Sequence, residues 1–173
     1  HVTRVAEVCY CLAKHFGLDE RTAELLRLGS PMHDVGKIGV PEAILHKPGK
    51  LTFDEFEIIK KHAQTGYEIL TKSNRSIMAT AAIVALQHHE RWDGKGYPQG
   101  LKGKNIHVFG RIAAIADVFD ALSHKRCYKE AWPLEKIVDL FKGEAGFHFD
   151  PELAAIFLTN INEFVGINRR FTQ

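Results

Sequence analysis

The stretch "SIMATAAIVALQHH", residues 76–89, decides how the rest of the chain is read. Alanine gives up least on entering a helix, and the stretch interleaves it with Ile77, Met78, Ile83, Val84 and Leu86 until almost no polar face is left. It therefore predicts a buried helix. It ends on His88 and His89 and runs into "ERWDGKGYPQGLKGKN", a glycine-rich loop over residues 90–105. Two imidazoles at the exit of an apolar helix need partners, because a buried polar group without one is costly.

Helical signals continue on both sides. Upstream, "LTFDEFEIIKKHAQTGYEIL" (51–70) has Thr52 and Glu55 at capping-box spacing, so a helix starts there and carries His62. Val2, Val5, Val8, Cys9, Leu12 and Phe16 form a three- and four-residue stripe that Gly17 ends. Asp19 is placed to cap a second helix, broken at Gly29-Ser30-Pro31. Downstream, "VFGRIAAIADVFDAL" (108–122) is helical and apolar yet carries Arg111, Asp117 and Asp120. Pro133 suits the start of a helix through Phe141, and Asp150-Pro151 that of a last one over 152–164. Strand-like alternation is scarce. The expectation is an all-α fold, one globular domain over residues 1–173 with about seven helices.

Composition narrows the function. The chain is 173 residues long and 45% hydrophobic, enough for one core. Lys and Arg total 23 against 21 Asp and Glu, so the basic face of a protein that wraps nucleic acid is not expected. No apolar run reaches the roughly 20 residues of a membrane span. Three cysteines (Cys9, Cys11, Cys127) without CxxC spacing fit small buried residues in a reducing, cytoplasmic compartment. The chain opens inside a helical pattern, as a domain cut from a longer protein would.

Ten histidines is a high count, and several fall on apolar segments. His1, His33, Asp34, His62, His88, His89 and Asp117 come from five separate segments. In "SPMHDVGKIGVPEAIL" (30–45), His33 and Asp34 are neighbours that, on a helix, grip different sides of an ion, with Lys37 one turn on. Five imidazoles and two carboxylates suit Fe, Mn or Zn rather than an all-oxygen Ca or Mg cage. They are also too many for one tetrahedral ion, whereas two ions sharing a carboxylate account for the surplus and suit displacement at phosphorus. The loop lacks both GxxxxGK[ST] and GxGxxG, but Trp92 and Tyr97 offer flat surfaces to a base.

"HDVGKIGVP", "HHERWDGKGYPQGLKG" and "RIAAIADVFDAL" together resemble the HD-GYP domain, a bacterial subgroup of HD-type metal phosphohydrolases that degrade cyclic di-GMP. The resemblance covers essentially the whole chain. It implies that His1, His33, Asp34, His62, His88, His89 and Asp117 are metal ligands, with Asp34 bridging, and that Gly96, Tyr97 and Pro98 are the GYP. Lys37 would contact the substrate phosphate, and Tyr97, Asp120, Arg126 and Lys129 would hold the nucleotide. His15, His46, His107, His124 and His148 match no ligand of the family and read as structural or surface residues. Two departures matter: "DALSHKRCY" replaces the common DALTS and R-P-Y, and the chain begins at His1, after the position of the glutamate that holds a third ion in some members.

The resemblance implies two or three divalent transition-metal ions, Fe or Mn. A hydroxide between them would open cyclic di-GMP to pGpG and on to GMP, with Asp34 and Lys37 as the catalytic residues. It also implies a receiver or sensory domain elsewhere in the polypeptide, and a homodimer or a protein partner at the GYP loop. The alternatives are a catalytically silent signalling module that binds cyclic di-GMP or a protein, and a hydrolase of another cyclic dinucleotide.

Overall fold

A computed structural model describes residues 1–124 and 130–171. Arg126 and Lys129 lie outside the described residues. Among the described residues nine α-helices run in the order α1 (Val2–Phe16), α2 (Glu20–Gly29), α3 (Glu42–Leu45), α4 (Phe53–Leu70), α5 (Ser76–Gln87), α6 (Val108–Ser123), α7 (Leu134–Glu144), α8 (Pro151–Thr159) and α9 (Ile161–Arg170). Short 3-10 turns occupy Ser30–Met32, Val35–Gly39 and Gly103–Asn105. Among the described residues no strand forms, so the all-α expectation agrees with the observed architecture.

The helix count differs from about seven at two places. Asn160 separates α8 from α9 where the sequence reads as one helix over 152–164: its N–H and side-chain amide both donate to the Ile156 carbonyl, closing α8. One further turn, α3, follows Pro41.

Local signals set the helix ends. The capping box forms in full, with Thr52 Oγ1 accepting from the Glu55 N–H and the Glu55 carboxylate accepting from the Thr52 N–H. Gly17 closes α1 at φ 96°, a left-handed conformation that glycine adopts without strain. Asp19 and Asp150 cap α2 and α8 by accepting from backbone N–H groups. Arg111, conspicuous on the apolar α6, pairs with Asp150 at 2.5 Å, which ties α6 to the start of α8.

The main core lies among α1, α6, α7, α8 and α9, where Leu12, Ile112, Ile115, Phe119, Phe141, Phe157 and Phe164 are fully buried. A smaller cluster of Leu70, Ala81, Ala82 and Ala85 lets α4 and α5 approach closely. His88 and His89, just past the end of α5, come near Asp117 on α6.

Candidate metal centre

His33 and Asp34 do not sit on a regular helix, as their adjacency first implies. They occupy the joint between the first two 3-10 turns, and Asp34 has φ −101° and ψ 7°. That joint lies against α4 because Gly36 has no side chain: a Cβ there would stand 1.9 Å from the His62 carbonyl oxygen and 2.5 Å from the Gly66 nitrogen. Two small residues thus bring Asp34 and His62 together.

Asp34, His62, His88 and His89 offer ligand atoms within 4.8 Å of one another, and His1, His33 and Asp117 form a second such group. Asp34 adjoins both. Its Oδ1 lies 3.3 Å from His62 Nε2 and 3.8 Å from His88 Nε2, while its Oδ2 lies 3.5 Å from His33 Nε2. Asp117 Oδ1 is 3.6 Å from His1 Nε2 and 3.8 Å from His33 Nε2. Donors about 2.1 Å from a shared ion sit about 3.0–3.5 Å apart, so these spacings are close to those of a ligand sphere.

Proton placement points the same way. His33 Nδ1 donates to the Ser30 carbonyl at 2.8 Å, His62 Nδ1 to Ile59 at 2.6 Å and His88 Nδ1 to Val84 at 3.0 Å. A carbonyl only accepts, so each Nδ1 carries a proton and each ring turns its Nε2 atom inward. All three Nε2 atoms and Asp34 Oδ1 are buried with no hydrogen-bond partner. Lone pairs facing one another around a carboxylate are held together by a second proton on each ring or by a cation. Burial opposes the proton: together with the neighbouring imidazoles it pushes His88 down to about 3 and His89 down to about 2. A divalent cation fits the donor set without that cost.

Burial also opposes the charge on Asp34, but His62, His33 and Lys37 outweigh it and hold the carboxyl well below the usual range. Lys37 Nζ reaches Asp34 Oδ2 at 2.5 Å from a half-exposed position. Tyr97 comes back over the cluster from the loop. Its ring stacks on His89 (centroids 4.7 Å, 23°), and its phenol is pushed up by burial and by the Asp34 and Asp117 carboxylates. Trp92 instead lies under the Arg111 guanidinium at 5.9 Å.

Asp120 lies behind His1, one turn past Asp117 on α6. Read as a nucleotide-holding residue, it is 2% exposed, accepting from His1 Nδ1 at 2.6 Å and from Arg4 Nε at 2.6 Å. Both oxygens are engaged, so Asp120 orients His1; burial raises the Asp120 carboxyl, but its bonds to His1 and Arg4 outweigh that and hold it below the usual range. Arg4 was not singled out from sequence, although it lies one helical turn after His1. Glu90 was also missed. It is 2% exposed and accepts from the Gln99 and Leu101 N–H groups at 2.7 and 2.9 Å, pinning the glycine-rich loop. Phe56 and Lys60, one turn apart on α4, complete the rim beside Tyr97: the Phe56 centroid is 6.2 Å away and the Lys60 ammonium lies 5.7 Å over the Tyr97 ring.

The HD domain family profile matches residues 1–153. The chain is 48% identical over 167 residues to a Vibrio cholerae protein named 3'3'-cGAMP-specific phosphodiesterase 2, covering 96% of this chain and 32% of that protein. It is 42% identical over 170 residues to a Thermotoga maritima protein named cyclic di-GMP phosphodiesterase, covering 98% of this chain and 46% of the other. Among solved structures, an HDG"Y"P protein from Bdellovibrio bacteriovorus superposes with a TM-score of 0.69 at 22% identity over 94% of this chain and 51% of that one, a likeness of fold. The chain thus spans about a third to a half of the length of these relatives. With the profile match over most of its length, and with the paired histidines, the HD turn and the GYP loop around one cluster, the chain belongs to the HD domain family, in its HD-GYP branch.

Proposed function

We propose that this domain is a metal-dependent phosphodiesterase that hydrolyses cyclic di-GMP. The carrying observation is the convergence of His33, His62 and His88 Nε2 on Asp34, each ring locked by its Nδ1–H on a carbonyl. The two adjoining ligand groups would hold two ions, with Asp34 able to contribute to both; the nitrogen and oxygen donors suit iron, manganese or zinc, of which the family resemblance favours iron or manganese. Bound there, the ions would supply Lewis acidity and a water activated near neutral pH.

The chain's own residues do the rest. Lys37, on the Asp34 carboxylate at the mouth, meets the phosphate and balances charge that builds on its oxygens. Tyr97 buttresses His89 with its face, and its phenol feels the Asp34 and Asp117 carboxylates. Phe56 and Lys60 give the mouth an aromatic and cationic wall for a nucleotide. Arg126 and Lys129 remain proposed phosphate contacts outside the described residues. Hydrolysis adds the water oxygen to phosphorus, and the P–O3′ bond breaks with the proton passing to the departing oxygen; this gives linear pGpG, and GMP after a second round.

A second reading is favoured by the relative of 48% identity, whose name specifies 3'3'-cGAMP. Both substrates present a cyclic phosphodiester and at least one guanine. We further propose that the domain acts in the cytoplasm under the control of a signalling module in the same polypeptide, consistent with the share of its relatives that it spans. No helix among the described residues is long and apolar enough to cross a membrane. The test is turnover of cyclic di-GMP and 3'3'-cGAMP side by side, with Mn or Fe(II) under reducing conditions and products resolved by chromatography. The proposal expects pGpG from cyclic di-GMP. Faster cleavage of 3'3'-cGAMP would reassign the substrate, and no cleavage of either would refute the enzyme.

A further inference from the structure

A separate set of ligating side chains lies where α1 meets α9. Cys11 and His15 are four residues apart on α1 and so share a face. Glu163, in the first turn of α9, sits between them: one carboxylate oxygen is 3.1 Å from Cys11 Sγ and the other 2.8 Å from His15 Nε2. The three ligand atoms lie within 4.8 Å of one another. Cys11 is buried in the core, whereas the His15 and Glu163 side chains are 34% and 51% exposed. The sulfur is therefore fixed by packing, and the other two donors face water.

We propose that Cys11, His15 and Glu163 form a zinc site that clamps α1 to α9, with water in the fourth position. Sulfur, imidazole and carboxylate are all zinc ligands, and a thiolate favours zinc over the harder Fe(II) and Mn(II). The catalytic cluster contains no sulfur, so one chain presents two sites of different softness. Burial, with the adjacent Glu163 carboxylate, pushes the Cys11 thiol up to about 12; Arg170 and Glu7 are the other charges that act on it. The metal-free group is thus a thiol hydrogen-bonded to Glu163. Zinc entry breaks the S–H bond, forms Zn–S and releases the proton to solvent. The clamp acts on the helices that frame His1: that residue is the N-cap of α1, and Arg4 on α1 donates to the Phe171 carbonyl just past α9 at 3.4 Å.

Cobalt(II) titration of protein preloaded with manganese at the catalytic centre tests this. Only a sulfur ligand gives a near-ultraviolet thiolate-to-cobalt charge-transfer band, so the His/Asp cluster cannot produce it. The expected result is one equivalent of that band, removed by added zinc and absent from Cys11→Ser. His15→Ala and Glu163→Gln, at half-exposed positions that the fold tolerates, should each weaken cobalt binding more than about tenfold, since removing a ligand exceeds the loss seen for its outer partners. No charge-transfer band, a band that persists in Cys11→Ser, or unchanged affinity in both surface variants would overturn the zinc site and leave a hydrogen-bonded trio.

Discussion

At the scale of single residues, the ring nitrogen that bonds outward determines what the other can do. His1 shows this: Asp120, itself braced by Arg4, holds His1 Nδ1 and turns Nε2 toward Asp117 and His33. Asp120→Asn keeps the shape but removes the charge that fixes this ring, so metal affinity should fall about 10–100-fold while the helical fold persists. A metal titration beside circular dichroism reads both, and unchanged affinity would remove Asp120 from its positioning role. The motif strings made the ligand candidates legible, because imidazoles and carboxylates on apolar segments stand out against their surroundings. Arg4 and Glu90 were not legible. Their work is done on Asp120 and on the loop at Gln99 and Leu101, contacts that no local spacing encodes.

At the scale of elements, close approach positions the site. Gly36 seats the second 3-10 turn directly on the His62 carbonyl, and Gly96 lets the loop pass within Cβ range of Arg91 N and His89 O, at 2.4 and 2.5 Å. Gly36→Ala must move backbone, so it should separate Asp34 from His62 and abolish metal retention. Gly96→Ala should displace Tyr97 and lower kcat more than metal content. Comparing metal analysis with steady-state kinetics distinguishes the two, and retention of metal by Gly36→Ala would contradict the first. Thr52→Ala, far simpler, should cost about 1 kcal/mol through loss of the α4 cap, read from the denaturant midpoint. The helix starts were legible because caps are local chemistry. The joint at His33 and Asp34 was not legible as two 3-10 turns, since its geometry depends on α4 lying against it. The break at Asn160 likewise needed the observed bonds to Ile156.

At the scale of the whole molecule, two packed clusters hold the elements that meet at Asp34, and the buried histidines link that packing to pH. Burial lowers His148, which is stacked on Phe149 at 4.3 Å with Arg91, Glu144 and Asp93 around it. A histidine lowered in the folded state takes its proton more readily when unfolded. Its stabilising share is therefore full above about pH 6.5 and is lost as pH falls from there toward the folded value. His148→Phe should flatten the acid limb of the stability curve below about pH 6.5 in metal-free protein; an unaltered limb would contradict the assignment. The central claim is that scattered donors become one two-ion centre only through this packing, with Asp34 shared. Its most direct test is the manganese content of protein reconstituted under reducing conditions, compared with Asp34→Ala of equal helicity. The account predicts at least two manganese ions per chain, falling to one or none in the variant together with all cyclic dinucleotide hydrolysis; equal manganese content in both would contradict it.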